Sequence, residues 1–138
     1  MKHVVLDAPE VVGAWVMEQQ SASWWKGRGT AIGYCDGQEL VAGVVFENWN
    51  RSSLCMHIAA LPGRLWATRA FLVPCFQYPF NQLGCKKVIA QVGSSNEKSR
   101  RFVEHVGFTL EATLKDAYPD GDLLLYTMTR AECRWLTI

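Results

Sequence analysis

Two side chains stand where a proton-transfer group would be conspicuous: His57, inside the otherwise apolar run SSLCMHIAAL, and Glu47, which closes GVVFE. A neutral imidazole accepts a proton near neutral pH, and a carboxylate can do so when partly buried. A structural histidine and an exposed strand end account for the same residues. Ser99 and Asn96 fall in SSNEKS, where hydroxyl and amide side chains also serve as local caps of a helix start. Trp24 and Trp25, in the loop SWWKGRG, are the expected substrate-contacting aromatics among six tryptophans, most of which core packing explains. No activated-nucleophile motif and no clustered ligand set occurs, so hydrolase and metal chemistry are disfavoured and no metal is expected.

The elements that must position these groups follow from periodicity. KHVVLD reads as a strand and APEVVGAWVMEQQSA as a helix, with Asp7 as N-cap and Val12, Trp15 and Val16 on its apolar side. TAIGYC, the DGQ turn and LVAGVVFENWN form a hairpin, and SSLCMHIAAL adds a third strand. PGRLWATRAFLVPCFQYPFNQLG turns helical, with Pro74 and Pro79 demanding a kink or two shorter pieces. CKKVIAQV is a buried strand. In GSSNEKSRRFVEHVGF, Ser94 and Glu97 fit a capping box, Phe102, Val103 and Val106 recur at helical spacing, and Gly107 ends the helix. FTLEATLKDAY, PDGD and LLLYTMTRAECRWL close the chain as a long hairpin.

This order predicts an α+β fold in one domain over 1–138, with a mixed, mostly antiparallel sheet and helices on both faces. The strands before and after the long helix are expected to be parallel neighbours, because an intervening helix is the usual crossover. The crevice where they separate is a natural ligand site. The 138 residues are 49% hydrophobic, enough for one core, and 14 basic against 13 acidic residues leave a formal charge of +1. No nucleic-acid partner is expected from that balance. Five cysteines without a C-x-x-C pair fit a reducing compartment. The opening MKHVVLDAPE lacks the apolar run of a signal peptide, and no membrane-length stretch follows, so a cytoplasmic location without membrane partners is expected.

N-x-x-S-x-x-F-x-E-x-x-G-F after a buried strand resembles the GNAT superfamily of acetyl-CoA-dependent N-acetyltransferases. The likeness extends from YPFNQLG through the DGD hairpin. It is closest to the ribosomal-protein N-terminal acetyltransferase branch, with a compact length similar to small bacteriophage-type members. It implies a V-shaped split between the parallel strands and acetyl-CoA as co-substrate. The acceptor would be a small-molecule or protein N-terminal amine that attacks the thioester directly, with the protein a monomer or homodimer. The pantetheine arm would lie on the backbone of Ile58, Ala59 and Ala60, and the pyrophosphate at the start of the next helix.

The family's glycine-rich phosphate loop is not kept, because in PGRLWATRAF the glycine positions carry Trp66 or Ala67 and Thr68, depending on alignment, and only Gly63 and Arg64 remain. Arg64, Arg69 and the Thr68 hydroxyl are the expected compensating contacts. Val103 stands where many members place a catalytic tyrosine. The resemblance therefore implies Ser99 as acid, Asn96 as a cofactor contact, and His57 or Glu47 as base. KSRR could meet the cofactor's 3′-phosphate. Loss of the glycines and the tyrosine also fits a degenerate binding module holding a protein partner.

Overall fold

The computed structural model describes residues 1–20 and 22–136. In chain order the elements are β1 (Lys2–Val5), α1 (Pro9–Gln19), β2 (Thr30–Asp36), β3 (Glu39–Glu47), β4 (Ser53–Ala60) and α2 (Arg69–Gln77). β5 (Lys87–Gly93), α3 (Glu97–Val106), β6 (Thr109–Tyr118) and β7 (Gly121–Thr129) follow. The strands form one sheet in the order β1-β2-β3-β4-β5-β7-β6. β4 and β5 run parallel, and every other neighbouring pair is antiparallel. The expected mixed α+β architecture is therefore present, with the parallel pair inside the sheet.

Side-chain alternation divides two apolar layers. Val44, Phe46, Leu54 and Met56 face α2 and α3, where they meet Phe71, Leu72, Phe76, Val103 and Val106. Val45 and Ala59 face the other way, onto Val12, Val16 and Met17 of α1. α1 thus covers one half of one face, and α2 and α3 cover the opposite face.

Several local expectations are corrected. The N-cap of α3 is Asn96, whose side chain accepts from the Ser99 N–H, and not Ser94. The Ser94 hydroxyl is engaged elsewhere, accepting from the Asp122 N–H at 2.9 Å, so the β6–β7 tip competes successfully for it. Gly107 (φ 124°) ends α3, and the Phe108 N–H returns to the Val103 carbonyl at 2.9 Å, as a Schellman closure requires. α1 is capped at Ala8 with Pro9 at its first position and no side-chain bond from Asp7, and it ends at Gln19 short of the predicted Ala22, with Ser21 outside the described residues.

The predicted long helix is shorter and in two pieces. α2 starts at Arg69 and passes Pro74, and Pro79 lacks the N–H needed to continue the ladder. The chain widens into a π turn over Tyr78–Gln82, where the Leu83 N–H reaches the Tyr78 carbonyl at 3.0 Å. The last strand ends at Thr129 rather than Leu136, because Glu132 accepts the Thr129 N–H and hydroxyl and turns the chain.

Candidate active site

β4 and β5 pair only over Ser53–Cys55 and Lys87–Ile89, and beyond Cys55 and Ile89 they diverge. A cleft of about 770 Å³ opens between Met56–Ala60 and Ala90–Gly93. The Leu61 N–H bonds the Val41 carbonyl, so by strand alternation the polar groups of Cys55, His57 and Ala59 also point to β3. Those of Met56, Ile58 and Ala60 then point into the split. Of the expected backbone contacts, Ile58 and Ala60 present theirs to the cleft, whereas Ala59 lines it with its backbone bonded to β3. The Gln20 side chain donates to the Ile58 carbonyl at 3.0 Å, bringing the end of α1 to the cleft edge.

On the α1 face, Glu47 joins two partners that are remote in sequence. Arg28 Nε donates to Glu47 Oε2 at 2.5 Å, and His57 Nε2 lies 2.7 Å from Glu47 Oε1. The three side chains are 16, 10 and 18% exposed for Arg28, Glu47 and His57, so the cluster is largely withdrawn from water. Burial alone would raise the Glu47 pKa, but the Arg28 hydrogen bond and the charges and hydrogen bond of its two partners outweigh it and lower it overall. An ionised carboxylate only accepts, so His57 Nε2 carries the hydrogen and Nδ1 is the acceptor nitrogen. His57 and Arg28 line the cleft, with Glu47 behind them. The strand-end carboxylate considered as a free base is therefore already committed to two partners.

Arg28 reaches this position because the chain passes β3 at Gly29. A Cβ there would lie 2.1 Å from the Phe46 carbonyl oxygen. Gly29→Ala should destabilise the fold by about 2 kcal/mol, an overpacking cost, measured as a shift in the urea midpoint.

On the opposite face, the first turn of α3 brings Asn96, Lys98 and Ser99 to the cleft, with Phe102 and Val103 behind them. The Asn96 carbonyl oxygen is used by the cap, which leaves its amide hydrogens to donate. The Ser99 hydroxyl makes no hydrogen bond within the described residues. Ser99 and His57 thus approach the split from opposite faces of the sheet. The rest of KSRR turns away: Arg100 bonds the Ser94 carbonyl at 3.2 Å, and Arg101 pairs with Glu97 at 3.8 Å.

The expected phosphate contacts separate. Arg64 and Trp66 line the cleft, while Ala67, Thr68 and Arg69 do not. Trp66 packs on Phe102 at 4.5 Å between ring centres. Arg64 pairs with Glu39 at 2.7 Å and Asp36 at 3.4 Å, and this holds its guanidinium protonated. The Thr68 hydroxyl meets the Tyr34 hydroxyl at 3.2 Å, and Arg69 lies over Trp135. The arm of the cleft therefore suits an extended, hydrogen-bonding chain. Its basic lining residues include Lys98 and an Arg64 shared with two carboxylates, with no glycine cradle beside Trp66.

The two loop tryptophans also part company. The Trp24 indole N–H bonds Glu10, and its ring lies on Gly13 of α1. Trp25 is 58% exposed and stacks on Arg28 at 4.6 Å, beside the cleft mouth. Sequence reasoning missed Arg28, Gln20 and Tyr118. Tyr118 lines the cleft from the end of β6, its ring seated on Gly93, where a Cβ would lie 2.4 Å away. Among the described residues no cluster of three or more metal-ligating side chains occurs, and no helix is long and apolar enough to cross a membrane. All five cysteines are free and buried.

No protein-family model matches the chain, and no curated protein matches it in sequence. Solved structures do match in shape. A ribosomal-protein alanine N-acetyltransferase of Escherichia coli aligns with TM-score 0.71 at 14% identity, covering 94% of both chains. A variant of the spermidine N-acetyltransferase of Vibrio cholerae aligns with TM-score 0.72 at 15% identity over 99% of this chain and 96% of that one. A dodecameric structure of the same Vibrio enzyme gives 0.64 at 21% identity over 77% and 67%. The chain has the fold of the GNAT acetyltransferases. At these identities the likeness establishes the fold, and the activity is argued from the site.

Proposed function

We propose that the chain is an acetyl-CoA-dependent N-acetyltransferase whose acceptor is an amine, such as a polypeptide N-terminus, attacking directly with both substrates bound. The observation that carries this reading is the split between β4 and β5, flanked by the Glu47-oriented His57 on one face and the Ser99 hydroxyl on the other. Acetyl-CoA supplies an activated acetyl group, whose transfer needs one proton removed from an ammonium and one delivered to the departing sulfur. Met56, Ile58 and Ala60 would hold the arm through strand-like backbone bonds, with Asn96, Lys98, Arg64 and Trp66 towards the phosphates.

His57 Nδ1 accepts the proton of the incoming ammonium. Glu47 fixes the tautomer and stabilises the imidazolium that forms. Ser99 donates towards the sulfur side, and the Ile58 N–H faces the position where negative charge develops. Arg28 holds Glu47 ionised, so the carboxylate acts through the imidazole.

Thermal unfolding tests the binding half of this reading. At a hundredfold excess over its dissociation constant, acetyl-CoA should stabilise the protein by about 2.7 kcal/mol. For a chain of this size that is a rise of roughly 8 °C in Tm. No shift with acetyl-CoA or CoA at saturating concentration overturns the proposal. That result would favour a second reading, a binding module on the same scaffold, for which Trp66 in place of loop glycines is the specific observation.

A further inference from the structure

The cleft's two faces differ in chemistry. The charged residues that line it are Arg28, Arg64 and Lys98, and no aspartate or glutamate lines it among the described residues. Glu47, directly behind, is shared between Arg28 and His57. At the β6–β7 tip, Asp120 accepts from the Ser95 hydroxyl at 3.0 Å. Asp122 accepts the Asp116 N–H at 3.0 Å and lies 3.7 Å from Lys115. A second or third ammonium entering on the α1 face would lose its hydration beside the Arg28 guanidinium with no carboxylate among the described lining residues to replace the water.

What that face does offer is apolar. Tyr118 lies flat on Gly93, Leu123 lines the cleft beside it, and Met17 and Ala22 close the other side. α1 covers β2, β3 and β4, and among the described residues no helix packs on this face of β5, β7 and β6. Leu114, 44% exposed and paired in register with Leu123, continues the apolar strip outward from Tyr118, itself 39% exposed. Tyr118 is held in place because the β6–β7 tip is bonded to the β5–α3 loop through Ser94 and Ser95.

We infer that the acceptor is an amine with a single positive charge on an apolar body that packs against Tyr118 and Leu123, and that polyamines are excluded. This rests on the acetyltransferase reading and narrows its substrate class. In the transfer, the amide C–N bond forms as the thioester C–S bond breaks. Of the two protons the ammonium loses, one leaves through His57 to solvent and one goes to the sulfur, which departs as the free thiol. Tyr118 is a positioning residue that supplies the wall.

The test uses the full chain with phenethylamine and spermidine as probes, following thiol release at saturating acetyl-CoA. The expected kcat/KM for phenethylamine exceeds that for spermidine by at least about 30-fold, the scale at which a mismatched pocket discriminates. Independently of turnover, phenethylamine should raise the Tm of the CoA-saturated protein further, and spermidine should not. Tyr118→Ala should lower kcat/KM for phenethylamine about tenfold, mainly through KM, with Tyr118→Phe restoring it and the acetyl-CoA melting shift intact in both. Equal or better turnover of spermidine overturns the inference, as does failure of phenethylamine to be acetylated or to add to the melting shift. Absence of any shift with acetyl-CoA instead removes the acetyltransferase reading itself.

Discussion

His57→Ala should cut kcat for acetyl transfer by about a thousandfold, the middle of the range for loss of a positioned general base. The size of the effect follows from how completely the ring is prepared. Its Nε2–H is held by Glu47 at 2.7 Å, its backbone is fixed in β4 opposite Val45, and its side chain lines the cleft. Among the described residues neither of its partners on the α1 face substitutes for it, because Arg28 has no acceptor lone pair and Glu47 is already bound on both oxygens. Removing the imidazole leaves the Arg28–Glu47 pair in place, so the variant should fold and show the same acetyl-CoA melting shift. A thousandfold loss with that shift retained identifies a role in chemistry. A loss below about threefold would remove His57 as the base.

Glu47→Ala should cost about 3 kcal/mol of stability, since it strands the largely buried Arg28 guanidinium without its carboxylate. The pH dependence gives the sign. The Glu47 pKa is lower in the folded protein than that of an ordinary glutamate, so across the carboxylate range the unfolded chain binds more protons. The carboxylate's contribution is therefore fully present above the ordinary carboxylate range and is lost as pH falls through the depressed folded value. Urea unfolding from pH 7 to 3 should show the gap between wild type and Glu47→Ala widest near neutrality and narrowing towards acid. A gap that stays constant over that range would mean that the stabilisation does not depend on the ionised carboxylate. Activity should fall in the same variant, because the His57 tautomer is no longer fixed.

Much of this molecule can be read along the chain. The DGQ hairpin, the strand through His57, the division of the long helix near Pro79, and α3 with its glycine stop all follow from local spacing and turn chemistry. Gln91, which lines the cleft, went unread, although a polar residue inside the apolar IAQV strand is a local signal. The exact cap of α3 was not legible, because Ser94 and Asn96 both qualify locally. The choice fell to Asp122, 28 residues away, which takes the Ser94 hydroxyl.

The chemistry-bearing residues divide in the same way. The sequence by itself determined which residue types are present and on which elements they ride, since helical and strand periods and turn residues act over a few positions. Only the tertiary structure decided that Arg28, from a loop, would lock Glu47, and that His57 and Ser99 would reach one cleft from opposite faces. It also decided that a register shift in β6 would lay Tyr118 over Gly93. Those relations depend on sheet order and register and on where β4 and β5 stop pairing, quantities set by packing between segments far apart in the chain.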